Sequence, residues 1–224
     1  MLLVLPALRP AAAHPHVWVE IDSEIIVEGR SITGVRHRWT FDEAYSEQAV
    51  EGLDANKDGR IDRDELAELT KINMEALPQF GYFTEIGAPG VRVAVKTPGD
   101  SWLEQVTLPP AQDDLEKRPR KALVLHFTLP LAEPLPLQPT GLSFAVRDPS
   151  FFIAFLTAGK SAVRFSKGAA VSCVLSADRE AQALSTLAQA MQDALAKAGE
   201  QPAPQPPPGA SGPNFNQVYS ITCR

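Results

Sequence analysis

The chain has 224 residues, with 21 Lys and Arg against 27 Asp and Glu and no basic cluster, which argues against a nucleic-acid partner because phosphate binding draws on concentrated cations. Hydrophobic residues make up 44% and charged residues 21%, a composition that supports a buried core and excludes a chain that stays unfolded. No Ser/His/Asp set, phosphate-binding loop or zinc-protease motif is present, so an enzyme is not expected.

Residues 1–13, MLLVLPALRPAAA, form an apolar stretch ending in small residues, the pattern of an export segment cleaved after Ala13. The mature chain is therefore expected to be exported. No other run approaches the roughly 18 apolar residues of a membrane span, so it is not expected to span the membrane. Cleavage would leave His14-Pro15-His16 at the amino terminus. An amine and two imidazoles suit Ni2+, Co2+, Zn2+ or Cu2+ rather than calcium. Pro15 has no amide hydrogen, so a site built from successive deprotonated backbone nitrogens cannot form, and further ligands must come from elsewhere in the fold.

Residues 16–27 and 32–41 alternate like strands around Glu28-Gly29-Arg30. A three-residue loop pairs Val17 with Phe41, Val19 with Trp39 and Ile21 with His37 on one face, and Glu20 with Arg38 and Asp22 with Arg36 on the other. That register sets His16 opposite Asp42, which could orient the imidazole or bind metal itself. His37 falls among apolar neighbours and reads as a core histidine, whereas His126 alternates with Leu125 and Phe127 and is a further candidate ligand.

Thr40 and Glu43 have capping-box spacing, and Phe41, Tyr45, Ala49 and Leu53 recur at helical spacing, which predicts a helix starting at Thr40. Residues 54–65, DANKDGRIDRDE, then place an oxygen donor or glycine wherever an EF-hand calcium loop requires one. Asp54, Asn56 and Asp58 supply side-chain oxygens, Gly59 permits the sharp turn, Arg60 offers its carbonyl, Asp62 acts through water and Glu65 closes the sphere. Leu66, Leu69 and Ile72 form the apolar stripe of a second helix. The loop occurs once, which favours a structural Ca2+ over a sensor.

Further strands are predicted at 91–96, 103–108, 122–129, 142–147, 151–156, 162–165 and 170–175, separated by Gly, Pro and Asp. The fold class is mainly β, α+β: an antiparallel β-sandwich-like core over 14–177 with the helix–loop–helix inserted at 41–76. Residues 178–200 read as an amphipathic helix with Leu184, Leu187, Met191 and Leu195 on one stripe. Six prolines fall within 201–213, an extended linker, and 214–224 return to the core as a strand. Cys173 and Cys223 are the only cysteines, and in an exported chain an even pair predicts a disulfide.

The sequences H-P-H-V-W from His14, R-W-T-F-D-E-A-Y-S from Arg38, G-L-D-A-N-K-D-G, Gly81-Tyr82-Phe83-Thr84, L-H-F-T-L-P-L from Leu125 and R-D-P-S-F-F-I-A-F from Arg147 occur in this order. Together they resemble a bacterial family labelled the periplasmic component of an ABC-type transport system, found beside nickel/cobalt-type membrane transporters. The resemblance implies a periplasmic metal-handling accessory protein that exchanges a transition metal, through His14 and His16, with an inner-membrane transporter. The alternative is a calcium-stabilised adaptor with no transition-metal role. A copper-loaded histidine brace with enzymatic activity is a third and weaker possibility. Asp148, Phe151 and Phe152 read as structural, because D-P is a turn signal and the aromatics fit a core strand.

Overall fold

The computed structural model describes residues 16–88, 93–110, 115–150, 152–157, 161–167, 172–177 and 217–224. Residues 1–13, His14, residues 91–92, Phe151 and the segments predicted as a helix at 178–200 and a linker at 201–213 lie outside the described residues; of the strand predicted at 91–96, the described part makes only an isolated bridge from Val95 to Leu131.

The architecture is mainly β, as expected. The first hairpin joins β1 (Val17–Glu28) to β2 (Ser31–Phe41). Val17, Val19, Ile21, Ile25 and Val27 are buried on one face of β1, and the carboxylates of Glu20, Asp22 and Glu24 occupy the other. The register differs from the predicted one by two residues. Val19 faces Phe41, Ile21 faces Trp39 and Asp22 faces Arg38. The turn is a two-residue one, with Gly29 at φ 59, and a bulge between Ile26 and Val27 absorbs the extra residue. Gly34, beside that bulge, meets the next strand at close range: a Cβ there would stand 2.9 Å from the Leu129 carbonyl oxygen.

After the hairpin come α1 (Glu43–Ala49), α2 (Ala67–Ala76), a 3-10 turn (Leu77–Phe83), and the strands β3 (Thr84–Gly87), β4 (Ser101–Leu108) and β5 (Arg120–Pro136). They are followed by β6 (Leu142–Val146), β7 (Ile153–Thr157), β8 (Val163–Phe165), β9 (Cys173–Ala177) and β10 (Val218–Cys223). One sheet runs β4-β5-β2-β1-β7, with β8 also on β1, and the second runs β3-β6-β10-β9. Strand β3 was not predicted. Every pairing is antiparallel, as in the expected antiparallel core, except β1 with β7 and β1 with β8, which are parallel. The exception follows from connectivity: the chain leaves the first sheet after β5, builds β6 in the second, and returns along the opposite edge.

Both sheets share one core, in which Trp39, Phe127 and Phe155 of the first sheet and Ile86, Phe144 and Ile221 of the second are almost fully buried. The helix–loop–helix is fixed to the first sheet by buried side-chain bonds. Ser46 Oγ accepts from Leu123 N at 2.9 Å, and Thr70 Oγ1 accepts from Leu103 N at 3.1 Å. Helix α1 does not start at Thr40, which belongs to β2. Its N-cap is Asp42, whose Oδ1 accepts from Tyr45 N at 2.8 Å. In α2, Leu66 is fully buried and Leu69 packs against the core, but Ile72 is 55% exposed, so the predicted stripe ends one turn early.

Cys173 and Cys223 are directly opposed in the β9–β10 ladder and form the predicted disulfide. The bond closes a loop with a sequence separation of 50, worth about 4 kcal/mol in the chain-entropy picture. Replacing both cysteines by serine is expected to lower the unfolding free energy by about that amount, measured by denaturant titration, with no change in the far-ultraviolet spectrum at low denaturant.

Candidate functional site

In the 54–65 segment, side-chain oxygens turn back onto the loop's own amides. Asp54 accepts from Asp58 N and Gly59 N, Asn56 from Asp58 N, and Asp58 from Arg60 N, at 2.8–3.1 Å. Asp62 accepts from Asp64 N and Glu65 N. Glu65 reaches across the loop: Oε1 accepts from Ala55 N at 2.9 Å and Oε2 from Asp62 N at 3.1 Å. The backbone enters the left-handed region at Lys57, φ 61, and Gly59, φ 81, the latter at the position where the sequence calls for a glycine. Ile61 packs against the core and anchors the loop's middle. Among the described residues, no group of three or more His, Cys, Asp or Glu side chains is gathered to hold a metal ion. The loop's acidic oxygens are thus ordered by backbone amides. A calcium shell would also need oxygens outside those residue types, from Asn56, the Arg60 carbonyl and water.

The residues predicted for a transition metal are dispersed. His14 is outside the described residues. His16 is exposed at the head of β1, its amide donating to the Phe152 carbonyl at 2.9 Å and its ring 4.9 Å from that of Phe152. Asp42 does not face His16. The observed register sets it beside Trp18, whose amide donates to Asp42 Oδ2 at 2.7 Å, so both carboxylate oxygens accept backbone amides. His126 is on the outer face of the first sheet, where Nε2 lies 2.8 Å from Glu104 Oε1 and the ring stacks on Trp102 at 4.6 Å. Arg38, not Asp42, is its partner across the ladder. Four residues separate Arg38 from Asp42, which at about 3.3 Å per residue puts His126 more than about 10 Å from Asp42.

His37 is the buried histidine that the sequence predicts. Ser23 Oγ lies 3.0 Å from Nδ1 and Thr84 Oγ1 lies 3.2 Å from Nε2. The Thr84 hydroxyl donates to the Tyr82 carbonyl at 2.8 Å, so it accepts from an Nε2–H, and Nδ1 accepts the Ser23 proton. Both nitrogens of a neutral ring are therefore satisfied. Burial lowers the His37 pKa to about 3. Because the folded-state value is below the unfolded one, protons favour the unfolded chain once pH falls below about 6.5. Stability should decline by up to about 1.4 kcal/mol per pH unit between about pH 6 and about pH 4. Thermal melts of wild type and His37→Gln across that range should show a shallower pH slope in the variant.

Asp148 is 4% exposed, and its carboxylate accepts from the amides of Ser150, Phe152 and Ile153 at 2.8–3.1 Å. It acts structurally, as predicted, by fixing the turn that leads into β7. Phe152, however, is 53% exposed rather than part of the core. Sequence reasoning also missed Arg63, whose guanidinium carbon lies 4.9 Å over the Trp102 ring, and Tyr45, whose pKa is raised by burial and then by the Asp42 charge. Arg63 carries no local motif, because its partner Trp102 belongs to β4, whereas Tyr45 lies one turn from its partner Asp42, the N-cap of its own helix.

The described residues thus make a mainly β, disulfide-closed sandwich with a helix–loop–helix insertion, and none of their helices is long and apolar enough to cross a membrane. Residues 1–223 match the family described as "Protein of unknown function (DUF1007)", and the chain belongs to that family. It is 25% identical over 154 residues to an uncharacterized protein of Haemophilus influenzae, covering 69% of this chain and 68% of that protein. No solved structure matches.

Proposed function

We propose that this protein is a calcium-binding, non-enzymatic accessory protein of the bacterial periplasm, in which Ca2+ held by the 54–65 loop stabilises the fold. The carrying observation is the loop's own order. Oxygens of Asp54, Asn56, Asp58, Asp62 and Glu65 are turned inward onto its amides, with positive φ at Lys57 and Gly59. Those five residues and the Arg60 carbonyl would hold the ion, hard oxygen donors of the kind Ca2+ prefers. The Cys173–Cys223 disulfide supports an oxidising compartment. A single extracellular loop of this kind falls in the range of about 10⁻⁴ to 10⁻³ M, filled by calcium outside the cytoplasm and serving stability rather than signalling.

Calcium at a hundredfold excess over its dissociation constant is expected to stabilise the wild type by about 2.7 kcal/mol. Glu65→Gln should abolish most of that gain. A melting temperature of the wild type that is indifferent to calcium and to chelator would sink the proposal.

Transition-metal handling beside an inner-membrane transporter is the second reading. It is favoured by the family resemblance and by His16, exposed at the head of β1 two residues from Trp18, whose amide is bound by Asp42. Titration calorimetry of the chain beginning at His14 with Ni2+, Co2+, Zn2+ and Cu2+ checks it. Binding is expected with at least one of them, and His16→Ala should weaken it by about tenfold or more. No binding, or binding unchanged in the variant, removes this role and leaves the calcium-stabilised adaptor.

A further inference from the structure

The 54–65 segment carries five carboxylates, of Asp54, Asp58, Asp62, Asp64 and Glu65, against three cations, Lys57, Arg60 and Arg63. Oxygens of Asp54, Asp58, Asp62 and Glu65 accept backbone amides, which are dipoles and leave the formal charge of −2 in place. None of the ion pairs among the described residues joins a loop carboxylate to Lys or Arg. Lys57 and Arg60 are exposed, and Arg63 lies over the Trp102 ring.

A cation reaches this loop from the sheet. Lys121, on β5 opposite Thr107, donates from Nζ to the Gly59 carbonyl at 3.3 Å. The Gly59 amide in turn donates to Asp54 Oδ2 at 3.0 Å. Both contacts fall on one residue, so backbone dimensions put Nζ within about 10 Å of that carboxylate, about one Debye length at 0.1 M salt. The neighbouring cation of β5, Arg120, is committed elsewhere, its Nε donating to the Pro109 carbonyl at 3.1 Å.

Two effects of Lys121 on calcium oppose each other, and their magnitudes decide the sign. As a tether, the bond to Gly59 would preorganise the loop and favour the ion. That bond is exposed, long for a charged donor, and added to a loop already ordered by its own amides, so the contribution is small. As a charge, the ammonium repels a divalent ion with twice the energy of a unit pair, and attracts the loop carboxylates when chelator has removed that ion. The charge effect wins.

We propose that Lys121 sets the calcium affinity of the 54–65 loop: its ammonium is a resident counter-charge for the loop carboxylates and competes with the ion. The inference rests on the calcium reading of this loop. It assigns to a side chain of the sheet the role of keeping calcium in the weak, readily exchanging range that suits a site outside the cytoplasm.

The test titrates calcium into isotope-labelled full-length wild type, Lys121→Gln and Lys121→Arg, following the Gly59 amide resonance. Titrations are run at about 0.01 M and about 1 M salt, where the Debye length falls from about 30 Å to about 3 Å. Lys121→Gln is expected to bind calcium about threefold more tightly at low salt, with the difference vanishing at high salt, and Lys121→Arg to match wild type. In chelator Lys121→Gln should melt below wild type, and that deficit should shrink at saturating calcium. Unchanged or weaker binding by Lys121→Gln, or an equal melting deficit with and without calcium, identifies a structural tether and overturns the proposal. A tightening that persists at about 1 M salt overturns its electrostatic cause. Wild type and variants that all fail to bind calcium overturn the calcium reading itself, and this inference with it.

Discussion

A neutral imidazole holds the two sheets together at their centre. His37 on β2 accepts from Ser23 on β1 through Nδ1 and donates to Thr84 on β3 through Nε2, so one ring ties both strands of the first hairpin to the second sheet. Its face stacks on Phe127 at 4.8 Å and stands 6.5 Å from Phe144 of the opposite sheet, so the polar bonds are embedded in aromatic packing. A charged ring would have to be desolvated in that setting, and burial therefore fixes its protonation state as well as its position. The constraint extends outward. Thr84 spends its proton on the Tyr82 carbonyl, which secures the left-handed turn at residues 81–83. The imidazole also meets Trp39 edge-on, with ring centroids 5.5 Å apart.

The hairpin shows how far local pattern alone can go. Alternation correctly assigned the buried face of β1, because period-2 burial depends only on which side of the strand faces the core. It did not assign the partner of each residue. Glu20, Asp22 and Glu24 alternate opposite Arg36 and Arg38, and a slip of two residues exchanges one set of opposite-charge pairs for another. The structure pairs Glu24 with Arg36, an ion pair at 2.9 Å, where the longer loop would have paired Asp22 with it. The deciding feature is the bulge at Ile26/Val27, compatible with either register in sequence. The same slip placed Asp42 against Trp18 and made it a helix cap rather than a partner of His16.

The hydrogen bonds within the 54–65 loop rest on local chemistry: donor type and spacing within twelve residues determine which oxygens meet its amides. The disulfide was legible for a related reason, since two cysteines leave one pairing. Features assembled from distant elements left no such trace. An apolar cavity of about 190 Å³ draws on β1, β2, β5, β7, both helices and the 3-10 turn, and the parallel return of β7 and β8 along β1 depends on a crossover between sheets. His126 was correctly placed on the solvent side of its strand, but its partners Glu104 and Trp102 come from β4, which the sequence does not pair with it by any local signal.

The insertion stabilises the sandwich only if it unfolds together with it, and the contacts indicate that it does. Ser46 of α1 bonds the β5 backbone and Thr70 of α2 bonds the β4 backbone, both at buried sites, so neither helix can leave without orphaning a sheet amide. The loop itself is tied down twice. Lys121 of β5 donates to the Gly59 carbonyl at 3.3 Å, and Arg63 lies over Trp102, which stacks in turn on His126. Exposed contacts of this kind add little energy individually, but they connect the loop to the edge strand β4 and its neighbour β5. A ligand that binds the folded loop alone stabilises whatever unfolds cooperatively with that loop. With both helices pinned by buried bonds, that unit includes β4 and β5, the edge of the first sheet, and calcium binding there would act on the sandwich as a whole rather than on a surface turn.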